Sequence, residues 1–150
     1  MKKLFALLAW FAVSPAPTFA ADADGRQLVE MPVEARAEMR AEMLDFQTTL
    51  HSIVSALGEK KFAEAADIAE KMIGVSAMGR HRNAPPNARP GMFMSNDMHA
   101  IARGMHFAAT DFAKVAKATR EGKGDPTKAL AALQAVTGAC VACHRSYRTQ

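Results

Sequence analysis

Two cysteines, one tryptophan and one tyrosine are all that this chain of 150 residues holds of those types, and the scarcity removes several classes of protein. Two cysteines cannot by themselves supply the four ligands of a cysteine-built zinc site. One tyrosine and scattered basic residues give no aromatic face interleaved with positive charge, so no nucleic-acid partner is expected. No segment alternates apolar and polar residues with period two, so no strand is expected. No serine or cysteine nucleophile is placed with a base and an orienting acid, and the chain is not read as an enzyme. There is no internal repeat.

Long hydrophobic runs are also missing. The one apolar run, Leu4 to Val13, follows Lys2 and Lys3 and is too short to span a bilayer. Ser14-Pro15-Ala16-Pro17 breaks it, and Thr18-Phe19-Ala20 offers small residues where a signal peptidase reads. This is the pattern of a secretory leader over residues 1–20, with cleavage after Ala20 and Ala23 as a second position. A retained hydrophobic anchor is the competing reading, and the short core weighs against it. The expected product, residues 21–150, is a single periplasmic domain with no stable membrane insertion. The formal charge of +4 falls to +2 once Lys2 and Lys3 are removed.

What is present is helical periodicity. A first helix is expected from Val33 to Leu57, after Pro32 and before Gly58, with Met39, Met43, Phe46, Leu50, Ile53 and Leu57 inward. A second runs from Lys61 to Ile73 with Phe62, Ala65, Ala69 and Met72 inward. A connection rich in Pro, Gly, Asn and Arg spans Val75 to Met94, long for a compact domain. A third helix opens at Ser95-Asn96-Asp97 and buries Met98, Ala102, Met105, Ala109, Phe112 and Ala116. A fourth opens at Asp125-Pro126, with a seam of Leu130, Leu133, Thr137, Cys140, His144 and Tyr147. The fold class is all-α: an antiparallel up-and-down four-helix bundle.

The chemistry lies in Cys140-Val141-Ala142-Cys143-His144. C-x-x-C-H is the attachment signature of a c-type haem. Cysteines three apart on a helix share a face, so both can form thioethers to one porphyrin. His144, one turn beyond Cys140, can reach the iron as an axial ligand. A plain disulfide between Cys140 and Cys143 is the bland alternative. A thioredoxin-like site would need a preceding strand. The expected cofactor is haem c with its iron, covalently attached. With its two propionates the mature protein comes near zero net charge.

The run Cys140-Val141-Ala142-Cys143-His144-Arg145-Ser146-Tyr147-Arg148, placed on the fourth helix of a bundle, resembles the cytochrome c′ family. The likeness covers the whole mature chain in helix order and length. It implies a four-helix haem protein, often a homodimer, whose distal iron site is either open or filled by a Met from the first helix. It implies that Arg148, four residues after His144, lies near the proximal imidazole or a propionate; a C-terminal arginine complementing the helix dipole is the alternative. It also implies that an arginine on the first helix, Arg36 or Arg40, pairs with a propionate, against the equal reading of a solvated face shared with Glu38 and Glu42.

Met39 and Met43 both lie on the inward stripe, one turn apart. Met commonly fills bundle cores, so both can be packing residues. The register measured from the first interhelical turn favours Met43 as the iron ligand, with Met39 in reserve. His106 is the competing distal candidate, though a boundary histidine bonded to the loop is the favoured reading of it. His51 is expected at the surface. The functional expectation is a carrier of single electrons with His/Met-ligated iron. Its partner would be a small redox protein or a membrane redox enzyme. The alternative is a five-coordinate haem that binds nitric oxide or carbon monoxide.

Overall fold

Helix starts and stops fall where local chemistry puts them. The computed structural model describes residues 24–119 and 125–150. The leader expected over residues 1–20, with its cleavage positions after Ala20 and Ala23, lies outside the described residues. Among those described, α1 spans Val33–Gly58, α2 Phe62–Met72, α3 Asn96–Thr119 and α4 Pro126–Ser146. The Arg36 amide donates to the Pro32 carbonyl at 3.0 Å, closing the first turn of α1. Ser95 Oγ accepts from the Met98 amide at the start of α3 (3.2 Å). Asp125 Oδ1 accepts from the Thr127 amide at the start of α4 (2.9 Å), with Pro126 in the first turn. Between α1 and α2 the chain reverses through Lys60, whose φ of 59° is in the left-handed region.

Each helix packs on the next in sequence, which gives the expected up-and-down order. Alanine sets how closely they approach: Ala65 and Ala66 on α2, Ala109 and Ala116 on α3, and Ala129 on α4 are fully buried around Ile53 and Phe112. The buried hydroxyls of Thr49 and Thr119 donate to the carbonyls of Asp45 and Val115, so neither is left unpaired. No helix among the described residues is long and apolar enough to cross a membrane.

Four details differ from the sequence reading. Met72 is 44 % exposed rather than inward; the end of α2 is covered instead by Ile73. On α4 the buried positions are Ala129, Leu133 and Val136, while Leu130 is 57 % exposed. The helix is turned by about one residue because Ala129, smaller than Leu130, lets α4 lie closer to its neighbour. The third difference is a pair of two-residue parallel strands, β1 (Gln27–Leu28) and β2 (Tyr147–Arg148). Strands this short show no alternation. The pairing ends α4 at Ser146 and draws Tyr147 and Arg148 out of the helix where they were expected. The long connection, expected as a loop, holds three short 3-10 turns over Val75–Ala77, Pro86–Ala88 and Pro90–Phe93.

Candidate cofactor site

Up-and-down order puts the start of α1, the end of α2, the start of α3 and the end of α4 at one end of the bundle. A cavity of about 690 Å³ opens there. This lies within the roughly 300–1,000 Å³ typical of sites for small organic ligands and cofactors. Met39, Met43 and Phe46 of α1 face it, as do Met98, Ala102 and Met105 of α3 and Ala139, Cys143 and His144 of α4. The connection from Ala77 to Met94, together with Arg26 and the chain from Tyr147 to Gln150, supplies the remaining wall. Met39 and Met98 are buried and belong to a second apolar cluster with Val29, Met31 and Ala35; Met43, Met94, Cys143 and Tyr147 pack against it.

The attachment motif sits where the two clusters meet. Cys140 packs against the main core and Cys143 against the second cluster. Both thiols are free and half-buried. Burial pushes both thiols up from the ordinary range, and for Cys143 the neighbouring Cys140 adds to the effect. At neutral pH they are thiols rather than thiolates. His144 lies one helical turn from Cys140, exposed on the cavity wall. Among the described residues no three His, Cys, Asp or Glu side chains are placed to hold a metal ion by themselves.

The wall is rich in two side-chain types. Seven of the chain's ten methionines line it: Met39, Met43, Met78, Met92, Met94, Met98 and Met105. So do six arginines: Arg26, Arg80, Arg82, Arg89, Arg103 and Arg148. Arg36 and Arg40, the two expected to meet an anionic group, are not in the wall; Arg40 donates to Gln150 Oε1 at the cavity mouth (2.7 Å). Arg148 does face the cavity; its buried Nε makes no hydrogen bond, the Asp24 carboxylate lying 3.7 Å away. A buried donor without a hydrogen bond is unfavourable, so the cavity is suited to a group that brings an acceptor, as a porphyrin carboxylate does. The flexible, polarizable methionine wall suits a large flat apolar body. The residues present therefore fit a haem.

The histidines divide as their surroundings dictate. His106 bonds the Ile73 carbonyl through Nδ1 and packs edge-on to Phe46, with ring centroids 6.4 Å apart. His51 is exposed. His81, in the connection, lies 3.3 Å from Glu42 and 3.6 Å from Glu38. Beside it Arg80 pairs with Asp45 at 2.7 Å. The connection is thereby fastened to the acidic row of α1. Its sequence signal was the spacing Glu38, Glu42, Asp45 set against Arg80-His81-Arg82. Farther along, Glu70 accepts from Ser76 and from Thr110 Oγ1, the latter at 2.6 Å. Those bonds, that of Ser76 first, hold its carboxyl below the ordinary range.

A family model described as Cytochrome C' matches residues 33–148. No curated protein and no solved structure gave a match.

Proposed function

This chain belongs to the cytochrome c′ family and binds covalently attached haem c with its iron; from that premise we propose that it carries single electrons in the periplasm. One observation carries the reading: Met39 and Met43 of α1 face the same cavity as Cys143 and His144 of α4. In this reading Cys140 and Cys143 would hold the porphyrin, and His144 and Met43 would ligate its iron. Met39 is the poorer candidate, because at 8 % exposure it is already packed into the second apolar cluster. Arg148, whose Nε makes no hydrogen bond, offers it to a propionate. The bound haem supplies an iron that alternates between ferrous and ferric states. A thioether ligand favours the ferrous state and raises the reduction potential. Residues 1–20 direct export, and the electron comes from or goes to a small redox protein or a membrane redox enzyme.

A second reading has the iron five-coordinate, with the distal side open to nitric oxide or carbon monoxide. The family leans towards it, and the half-buried side chain of Met43 leaves room for it. Optical spectra of the ferric and ferrous holoprotein decide between the two. A low-spin spectrum with a sulfur-to-iron charge-transfer band, abolished by Met43→Ala but kept in Met39→Ala, is expected for the carrier. A high-spin spectrum with ready carbon monoxide binding in the unmodified protein makes the second reading the correct one. Loss of the band in Met39→Ala alone makes Met39 the ligand, and loss in His106→Ala alone makes both methionines packing residues.

A further inference from the structure

The family match begins at residue 33, yet the preceding residues reach into the cavity. The Val29 amide donates to the Arg148 carbonyl at 2.8 Å. Gln27 and Leu28 pair in register with Tyr147 and Arg148. Val29 and Met31 are buried in the second apolar cluster, against which Cys143 and Tyr147 pack. Arg26 lines the cavity, and its Nη1 approaches the His144 carbonyl at 3.5 Å. Asp24 sits between two arginines: its carboxylate is 2.6 Å from Arg26 Nη2 and 3.7 Å from Arg148 Nε.

These contacts have a common effect. α4 ends at Ser146 and its last residues are extended, so the direction of Arg148 depends on a strand partner rather than on helix geometry. That partner is β1. Without it, one backbone carbonyl of β2 loses its donor and the second cluster loses two of its buried side chains. The same segment brings one carboxylate and one guanidinium to the end of α4, beside His144.

We propose that residues 24–31 are a clamp on the proximal side of the haem site, in which β1 positions the His144–Arg148 segment while Asp24 and Arg26 act on the iron through opposite charges. Asp24, Arg26 and Val29 are positioning residues. The proposal rests on His144 as the axial ligand.

Two sets of variants in the holoprotein test it. Val29→Pro removes the N–H that bonds Arg148, whereas Val29→Ala removes packing and keeps the N–H. Val29→Pro is expected to move the hyperfine-shifted imidazole resonances of the ferric protein. It should also speed tryptic cleavage after Arg26 by about tenfold, the equivalent of one lost buried hydrogen bond. Val29→Ala is expected to leave the resonances in place. Faster cleavage with unmoved resonances overturns the positioning role. The charge pair gives a test that does not depend on Val29→Pro folding. Arg26→Gln removes a positive charge and should lower the reduction potential, because ferric iron is the more positive state. Asp24→Asn should raise it. A shared direction, or no shift in either, overturns the electrostatic part, since a merely structural disturbance carries no sign. His144→Ala serves as the control: if the imidazole resonances survive, the axial assignment falls and the clamp with it. If they vanish while Val29→Pro is silent, the clamp alone falls.

Discussion

The two ends of the bundle are built on opposite principles. Around Ile53 and Phe112, at 1 % and 0 % exposure, the helices meet through alanines. At the other end methionine replaces alanine, arginines surround the opening, and about 690 Å³ is not filled by side chains. The closed end is a core complete in itself. The open end completes its packing only with a cofactor, and it borrows segments from both sides of the bundle: β1, β2 and the long connection. A single chain of four helices thus combines a half closed by side chains with a half built around a cavity.

The largest effect should come from removing the haem. The apoprotein is expected to keep its helices at the closed end and lose fixed packing at the other, with a melting temperature lower by about 10 °C or more. Hydrogen exchange should show protection kept for the amides around Ile53, Phe112 and Ala116 and lost from residue 75 to residue 106. Equal loss at both ends would mean that the halves are one cooperative unit and the contrast is only compositional.

Phe112→Ala attacks the closed end directly. Truncating a fully buried phenylalanine costs about 3–5 kcal/mol, measured by denaturant unfolding of the holoprotein. The haem spectrum of the folded fraction should not change. Met43→Ala should do the reverse: a smaller loss of stability and, where Met43 ligates iron, an altered spectrum. A spectral change in Phe112→Ala would show that packing at the closed end reaches the cavity.

A smaller effect is expected where the two halves join. A Cβ on Gly74 would lie 2.7 Å from the Glu70 carbonyl oxygen and 2.8 Å from its Cα. Gly74→Ala should therefore cost about 1–3 kcal/mol through forced backbone movement. The Glu70 carboxyl, held below its ordinary 4.5 by Ser76 and Thr110, gives this junction an acid dependence. Its contribution is present above the ordinary value and is lost as pH falls through the lowered one. Unfolding measured from neutral pH downward should show this loss, and Glu70→Gln should remove that part of the slope. An unchanged slope would mean that the connection is held mainly by its Arg80 and His81, which pair with the acidic row of α1.

The comparison also separates what can be read along the chain from what cannot. Pro32, Ser95 and Asp125-Pro126 announced three helix starts because capping is settled within four residues. The cysteines and histidine of the attachment motif announced a haem because their spacing on one helical turn is itself the geometry required. The exposure of Leu130 was not legible, since two adjacent registers of α4 satisfy the periodicity and only the fit of Ala129 against a neighbouring helix chooses between them. The resemblance points to Arg36 or Arg40, a turn from Met39 and Met43 on α1, whereas the arginines that line the cavity come from the connection, α3 and both ends of the described chain.

Sequence alone thus determined the four helices, their order and the cofactor, because each rests on interactions among residues a few positions apart. Tertiary structure alone decided which side chains surround that cofactor. The contact of Arg26 with His144 joins residues 118 positions apart, and the pairing of β1 with β2 spans a similar separation. Contacts of that kind leave no periodicity to read, because they form only after the helices have packed and brought the two ends of the chain to the same end of the bundle.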